Sequence, residues 1–352
     1  MSMSARKINE ETELQPQPQL RSRPLAATFI MVGGVITLIL SIFLAISYGA
    51  ADVKMSVIWD VIFHFNPDFN DHQVIRDLRL PRILGAVLVG ASFATAGAIM
   101  QGMTRNPLAD SGLLGLNSGA VLAMAINFAF FPNLPYYALI LFSFIGASVS
   151  TGLVYGIGSI SRGGLTPLRL VLSGTVISAL FSALSEGVAL HFRIGQDLAF
   201  WYAGGVAGTT WTQIKVMVPI VFLAILGAII ISRSVTLLSL GEEIATGLGQ
   251  KAKTVKIFGT VIVLILAGSA VSVVGAVGFV GLIVPHLTRY LVGVDYRFII
   301  PCSAILGALL LVWADFAARM INAPYETPVG ALIALIGVPF FLYLARKERR
   351  EL

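Results

Sequence analysis

The chain alternates between long apolar runs and short polar connections. The apolar runs lie at about 25–48, 83–101, 113–131, 136–158, 168–191, 214–232, 299–318 and 328–345. Each is close to the roughly 20 residues that a helix needs to cross the hydrocarbon core of a bilayer. The pattern therefore predicts a series of membrane-spanning helices.

A further apolar region is too long for one helix. Between Lys256 and Arg289 there is no Asp, Glu, Lys or Arg, and glycines recur at positions 268, 275, 278 and 281. Irregular backbone at membrane depth is tolerated only where protein or a water-filled cavity covers it. We expect a helix, a break and a half-helix here, which makes ten spans and is typical of a transport protein.

Composition supports a membrane protein along most of the chain. Hydrophobic residues make up 57% and charged residues 12%, and the mean hydropathy is +0.87. That leaves too little polar surface to coat a soluble domain of this size. We expect an all-α polytopic membrane protein with one transmembrane domain at 25–346. Residues 1–24 are polar and lack the apolar core of a signal peptide, so they and 347–352 are expected to be cytosolic tails, the first disordered.

The basic residues indicate the orientation. With ten spans, 17 of the 24 Lys and Arg residues fall on the side of both termini and seven on the other. Positively charged loops stay in the cytosol, which places both termini there in a bacterial cell membrane. The net charge of +6 is therefore a topology signal and gives little reason to expect nucleic-acid binding.

Several kinds of chemistry find no support in the sequence. The chain has a single cysteine, Cys302, and four scattered histidines without metal-ligand spacing. It contains no Gly-x-x-x-x-Gly-Lys-Ser/Thr phosphate-binding loop, so energy must come from a partner or an ion gradient. A gradient-driven transporter needs ionisable groups deep in the membrane, whereas the candidates, Glu186 and Asp315, lie near helix ends.

A polar stretch at 237–256 predicts a short amphipathic helix on the cytosolic surface between spans six and seven. Its apolar residues Leu240, Ile244 and Leu248 recur at helical spacing. Glu242 and Glu243 lie where negative charge favours a helix N-terminus. Such a helix either seals the bundle at the membrane surface or binds a cytosolic partner.

Four segments resemble the FecCD family of ABC importer permeases. They are LRLPRILGAVLVGASFATAGAIMQGMTRNPLAD from Leu78, LSLGEEIATGLG from Leu238, GAVGFVGLIVPHLTR from Gly275 and ETPVGALIALIGVPFFLYLAR from Glu326. The resemblance implies a ten-helix permease for iron(III) siderophores, with haem and cobalamin as alternatives. It also implies a second permease, two cytosolic ATPases that bind ATP and magnesium in place of this chain, and an extracytoplasmic binding protein. A gradient-driven transporter and a membrane scaffold are the alternatives from other classes.

The resemblance also implies roles for charged residues at the outer ends of the helices. It places Arg79, Arg82 and Arg319 where they receive acidic residues of the binding protein. Asp315 and Arg319 are four residues apart on one helix and can also form a local ion pair. Glu326 can cap the tenth helix, steady Arg319 or contact the binding protein. Pro81 fits the first turn of the second helix.

On the cytosolic side the resemblance implies contact with the ATPase. The candidate coupling residues are Leu240, Gly241, Glu242, Glu243, Ala245, Leu248 and Gly249. Arg105, Asn106 and Pro107 lie in the loop between spans two and three, which the resemblance places near the ATPase and the inner gate. The alternative is a simple turn whose Asp110 or Ser111 caps the next helix.

The fifth span carries small and polar residues on one predicted side. Gly174, Ser178 and Ser182 follow at steps of four, and Ser185 and Glu186 come directly after them. Small residues at this spacing allow helices to approach closely in lipid. The resemblance instead implies that this helix lines the pathway and meets the second permease.

Overall fold

The computed structural model describes residues 22–48, 53–160, 167–203, 205–275, 277–322 and 325–348. Most of the two expected cytosolic tails falls outside these residues. The first described helix begins at Pro24 and the last ends at Glu348.

The described residues fold into α-helices joined by short connections. The helices are α1 (Pro24–Ser47), α2 (Met55–Phe63), α3 (Asn70–Gln73), α4 (Leu80–Thr104), α5 (Leu116–Phe130), α6 (Tyr136–Ile160), α7 (Pro167–Phe192), α8 (Gly195–Ala203), α9 (Trp211–Leu240), α10 (Glu242–Gly247), α11 (Ala252–Val274), α12 (Val280–Val292), α13 (Tyr296–Ile321) and α14 (Val329–Glu348). A π-helical segment, Val74–Arg79, joins α3 to α4, and a 3-10 helix, Ser111–Leu114, precedes α5.

Seven of the described helical segments are long and apolar enough to cross a membrane. Three shorter apolar helices, at 116–130, 280–292 and 329–344, occupy the other predicted spans. The expected helix, break and half-helix is confirmed: α11 ends before Gly275, where φ is +72°, and α12 begins after Phe279, where φ is +67°. The protein is an all-helical, multi-pass membrane protein.

Pro81 lies in the first turn of α4, as predicted, but the helical path begins earlier in the chain. Helix continues from Asn70 to Thr104 without a break. The π-helical segment directly before Pro81 uses wider hydrogen bonding, with the Leu80 N–H donating to the Ile75 carbonyl. Pro81 has no N–H to donate, and the wider π-helical turn before it lets the helix pass through this position without a break. Arg76 and Arg79 therefore lie on the helix before Pro81.

Helix α4 forms the centre of the bundle. Every residue from Val89 to Met103 is buried, and α4 packs against α9, α11, α12 and α13. Its glycines allow this packing: a Cβ at Gly97 would lie 1.9 Å from the Gly281 carbonyl oxygen, and one at Gly90 would lie 2.2 Å from that of Gly307. Small residues at contact points let helix backbones touch in lipid, as these do.

A smaller group, α5, α6 and α7, packs beside this centre. Gly119 and Gly146 meet in the same way, since a Cβ at Gly119 would lie 2.3 Å from the Gly146 carbonyl oxygen. The group joins the centre through α6 and α11, where the hydroxyls of Tyr155 and Thr260 lie 2.6 Å apart. Helix α1 lies at the periphery against α13.

Candidate functional site

A group of charged side chains lies at one end of the bundle and is called the arginine cluster below. It consists of Arg79, Arg82, Asp315, Arg319 and Glu326. Arg79 is the last residue of the π-helical segment, and Arg82 lies in the first turn of α4. Asp315 and Arg319 lie near the end of α13, and Glu326 precedes α14. The tertiary structure therefore brings together all four residues predicted for binding-protein docking.

Asp315 is the shared partner within the cluster. Its Oδ1 accepts a hydrogen bond from Arg82 Nε at 2.9 Å, and its Oδ2 lies 3.3 Å from Arg319 Nε. The expected ion pair between Asp315 and Arg319 is confirmed. Asp315 is only 1% exposed, so its carboxylate balances the charge of two guanidinium groups in a buried site.

The arginines also bind the end of α1. Arg319 Nη1 donates to the Ala45 carbonyl at 3.1 Å, and Arg79 Nη1 donates to the carbonyls of Ile46 and, at 3.4 Å, Ser47. Helix ends leave carbonyl oxygens without helical partners, and these guanidinium groups supply donors there. The cluster thus holds α1, α4 and α13 together.

Glu326 is the solvent-facing member of the cluster. Its Oε1 pairs with Arg82 Nη1, and its side chain is 51% exposed. Arg82 was not among the partners that the sequence suggested for Glu326. Three guanidinium groups face two carboxylates, which leaves the cluster with one formal positive charge.

The opposite end of the bundle carries the short surface helix α10. Helix α4 is 25 residues long, so the two ends are separated by about 36 Å along it. Glu242 Oε2 lies 2.6 Å from Lys256 Nζ, which ties α10 to the start of α11. Ile244 and Leu248 are 52% and 64% exposed, whereas Ala245 is buried.

The predicted extent of the surface helix was too long. Leu240 is the last residue of α9, and the new helix starts only after Gly241, whose φ of +137° no side-chain-bearing residue adopts readily. Leu248 and Gly249 follow α10, and Gly249 has a φ of +82°. The helix predicted within 237–256 is therefore confined to Glu242–Gly247. Glu243 is exposed on it.

The predicted loop at residues 105–107 lies beside the surface helix. Arg105 ends α4 in the left-handed conformation, and its Nη1 lies 3.8 Å from where a Cβ of Gly241 would be. Asn106 Oδ1 accepts a hydrogen bond from the Leu108 N–H at 2.9 Å, which makes this a side-chain-stabilised turn, and Pro107 is half-buried within it. The loop therefore combines the predicted turn with a contact to the candidate coupling region.

Asp110 caps the following helix, as expected for Asp110 or Ser111. Its Oδ1 accepts a hydrogen bond from the Ser111 N–H at 2.7 Å. The same oxygen would lie 2.4 Å from a Cβ at Gly281, so the carboxyl is packed against α12. Burial raises the pKa of Asp110, against the opposing effect of its hydrogen bonds from Ser111 and Gly112.

The small and polar residues predicted to share one side of the fifth span differ in their exposure. Gly174 and Ser185 are buried within the chain, and Ser178 is half-buried with its Oγ 3.3 Å from that of Ser118. Ser182 and Glu186 are exposed. The five residues therefore do not form one face. Each four-residue step turns about 40° around the helix, which carries Ser182 and Glu186 away from the side that Gly174 and Ser185 share.

The sequence contains no signal for the most central contact of the cluster. Arg82 and its partners Asp315 and Glu326 are more than 230 positions apart, and an ion pair at that separation has no local spacing rule. The contact between Gly97 and Gly281 likewise has no signal in the sequence, where each glycine is only one of several in its segment. Among the described residues, no three His, Cys, Asp or Glu side chains lie close enough together to hold a metal ion.

The two charged regions thus lie about 36 Å apart on a close-packed helical bundle. Residues 37–347 match the FecCD transport family. The chain belongs to the FecCD transport family.

Individual relatives agree with this assignment. The chain is 54% identical over 334 residues to the iron(3+)-hydroxamate import system permease protein FhuB of Bacillus subtilis, covering 95% of this chain and 87% of that protein. It is 41% identical to the iron-uptake system permease protein FeuB of the same organism, covering 92% and 96%. A solved metal-chelate type ABC transporter in an inward-facing conformation is 29% identical, with a TM-score of 0.79 over 90% of this chain and 99% of that chain.

Proposed function

We propose that this protein is the permease subunit of an ABC importer that carries an iron(III)-siderophore complex across the cytoplasmic membrane of a bacterium. In this proposal all ten apolar helices cross the membrane and both termini are cytosolic. The observation that carries the proposal is the surface helix α10, which exposes apolar side chains on a segment anchored between two long spans.

The exposed residues of α10 are suited to a protein partner. Ile244 and Leu248 project apolar surface from a segment flanked by Lys251, Lys253 and Lys256, on the side that the positive-inside rule assigns to the cytosol. A cytosolic ATPase that covers this surface can supply the energy for which the sequence has no phosphate-binding loop. ATP and magnesium then bind to that partner, and movement passes through α10 and the adjacent Arg105 loop.

The arginine cluster is the proposed docking site for an extracytoplasmic binding protein. Its net positive charge complements acidic residues, and Glu326 and Arg82 form the part nearest solvent. Surface ion pairs each contribute about 0 to 1 kcal/mol, so the cluster mainly sets the orientation and rate of docking. Arg79 and Arg319 hold the cluster in place by binding the end of α1.

The second permease is proposed to pack on α7. Leu172, Val176, Leu180 and Leu184 form an exposed apolar row at helical spacing on that helix. Ser182 and Glu186 are exposed beside this row and can line a pathway between two subunits. A pathway with hydroxyl groups suits a bulky polar chelate that is held only weakly.

The iron-siderophore cargo is supported by the relatives, whose names specify iron(3+)-hydroxamate and iron uptake. The test is uptake of radioactive iron by cells with and without this gene, with the partner proteins expressed. Iron is offered as hydroxamate, catecholate and citrate complexes, with haem and labelled cobalamin in parallel. We expect loss of one iron-chelate class. Loss of cobalamin uptake alone would correct the cargo, and no loss of any uptake would contradict the proposed function.

The role of α10 is tested with the double variant Ile244→Ser, Leu248→Ser. We expect uptake to fall at least about tenfold and the ATPase to be lost from the purified complex, since both residues are exposed and carry the proposed interface. Lys253→Gln, an exposed change nearby on α11, is the matched control and should transport normally. Normal uptake by the double variant would show that energy enters the protein elsewhere.

A further inference from the structure

Helix α2 divides its surface into three sectors. Ile58 and Val61 are buried, and Val57, next to Val61 around the helix, is half-buried, against α1 and the π-helical segment. Ser56, Asp60 and His64 form a polar exposed sector. The third sector is apolar and exposed, and it consists of Met55, Trp59, Ile62 and Phe63.

The apolar sector is continuous and aromatic. At 100° per residue its four members fall within about 100° of the helix circumference. Trp59 and Phe63 are 60% and 59% exposed, and their ring centroids lie 4.7 Å apart. Two large aromatic side chains on the surface of a nine-residue helix therefore have no covering element among the described residues.

The position of α2 places this sector at a membrane boundary. Met55 Sδ lies 3.6 Å from Ser47 Oγ, and Ser47 is the last residue of the span α1. The Val53 N–H also donates to the Ser47 carbonyl at 2.9 Å. The start of the apolar sector therefore lies beside the last residue of the span α1.

The end of α1 also exposes apolar side chains. Leu40, Leu44 and Tyr48 are exposed along the end of α1. Tryptophan and tyrosine are enriched at membrane interfaces, because their rings combine an apolar body with a polar group. A lipid-facing span that ends in Tyr48 and is followed by a helix exposing Trp59 matches this distribution.

We propose that α2 is an interfacial helix whose Met55, Trp59, Ile62 and Phe63 sector inserts into the headgroup and acyl-chain boundary of the outer leaflet. The occupant of this surface is lipid. Ser56, Asp60 and His64 then face water, and the buried sector holds the helix on α1. The segment serves as a lateral anchor that sets the height of the arginine-bearing π-helical segment, against which α2 also packs.

The test is a set of single-cysteine variants of the full chain, each carrying a nitroxide spin label, in vesicles of phosphatidylethanolamine and phosphatidylglycerol. Cys302, which is buried, is replaced by serine in all of them. Trp59→Cys and Ile62→Cys report on the apolar sector, and Ser56→Cys and His64→Cys on the polar one. Leu40→Cys is the lipid reference and Asp68→Cys the water reference.

Oxygen concentrates in lipid and a nickel chelate stays in water, so the ratio of the two accessibilities measures immersion. We expect this ratio to be several-fold higher at 59 and 62 than at 56 and 64, and close to that of Leu40→Cys. Equal ratios in both sectors would overturn the proposal, because the helix would then lie wholly in water or wholly in lipid. Low accessibility to both reagents at 59 and 62 would also overturn it, because a protein surface would then cover the sector.

Gel-filtration profiles matching the unlabelled protein establish that each variant is folded. These positions are exposed, so labels there do not disturb the core. The result does not depend on the transported cargo or on the ATPase, because the chain alone is placed in lipid.

Discussion

At the scale of single residues, the arginine cluster depends most on its buried carboxylate. Asp315 is 1% exposed and contacts both Arg82 and Arg319, whereas Glu326 contacts Arg82 and faces solvent. Removing one partner of a buried ion pair leaves an uncompensated charge, and exposed pairs contribute little. The two carboxylates should therefore differ sharply in their effect on stability.

Asp315→Asn is expected to destabilise the protein by about 3 to 5 kcal/mol, because two buried guanidinium groups lose their shared counter-charge. Glu326→Gln is the matched control, with an expected cost of about 0 to 1 kcal/mol. Thermal unfolding of the detergent-purified variants measures both. Equal shifts in the two melting temperatures would show that Asp315 is not the centre of the cluster.

Asp110→Asn is expected to change how stability depends on pH. The pKa of Asp110 is raised in the folded protein, so folding retains a proton that the unfolded chain releases, and stability falls as pH rises above about 3.8 toward the folded pKa. Asparagine caps a helix about as well as aspartate and does not titrate. The melting temperature of the variant, relative to that of the wild type, should therefore increase as pH rises.

Asp295→Asn provides a comparison of opposite sign. Burial disfavours the Asp295 carboxylate, but hydrogen bonds from Arg297 and Thr236 outweigh this effect and lower its pKa. Its contribution to stability is present above the unfolded pKa and is lost as pH falls through the folded one. The melting temperature of this variant, relative to that of the wild type, should therefore decrease as pH rises. A difference from the wild type that is constant with pH in both variants would contradict the two assignments.

At the scale of the helices, close backbone contacts decide the packing. The crossing of α4 and α12 has Gly97 against the Gly281 carbonyl, and that of α4 and α13 has Gly90 against the Gly307 carbonyl. Neither crossing has room for a Cβ. Interfaces of this kind depend on van der Waals contact because lipid offers no hydrophobic drive between helices.

Gly97→Ala is expected to cost at least about 1 to 3 kcal/mol, since the added Cβ would lie 1.9 Å from a carbonyl oxygen and one helix must move. Gly152→Ala, where a Cβ would meet nothing within 4 Å, is the matched control and should be neutral or stabilising by up to about 1 kcal/mol. Both are measured by thermal unfolding in detergent. A small effect at Gly97 would mean that α4 and α12 are not in contact there.

At the scale of the whole molecule, the number of spans sets which surface each partner can reach. Seven helical segments meet the length and apolarity needed to cross the bilayer, and α5, α12 and α14 are shorter. If all ten cross, the arginine cluster and α10 lie on opposite sides. If α5 did not cross, the segment between α5 and α6 would lie on the same side as the loop before α5.

Labelling of single cysteines with a membrane-impermeant maleimide tests this topology. Three exposed positions are expected to react in right-side-out vesicles: Asp68, Asn133 and Asn322. Three others are expected to react only after permeabilisation: Ser22, Lys251 and Arg346. The Cys302→Ser background removes the native thiol. Protection of Asn133→Cys in sealed vesicles would rule out a crossing by α5.

The sequence alone determined the features that depend on local pattern. Apolar runs marked the helices, glycines marked the break before α12, and four-residue spacing marked the pair Asp315 and Arg319. Four conspicuous segments also carried the family resemblance, which the match over residues 37–347 confirmed. These predictions were possible because helix periodicity and hydropathy are properties of neighbouring residues.

Only the tertiary structure decided which distant residues meet and which faces remain exposed. It paired Arg82 with Asp315 and Glu326, shortened the surface helix at Gly241, and left Trp59 of α2 uncovered. Contacts between residues far apart in the chain follow from how whole helices pack, and that packing depends on backbone approach at points such as Gly97. No local pattern in the sequence encodes these partners.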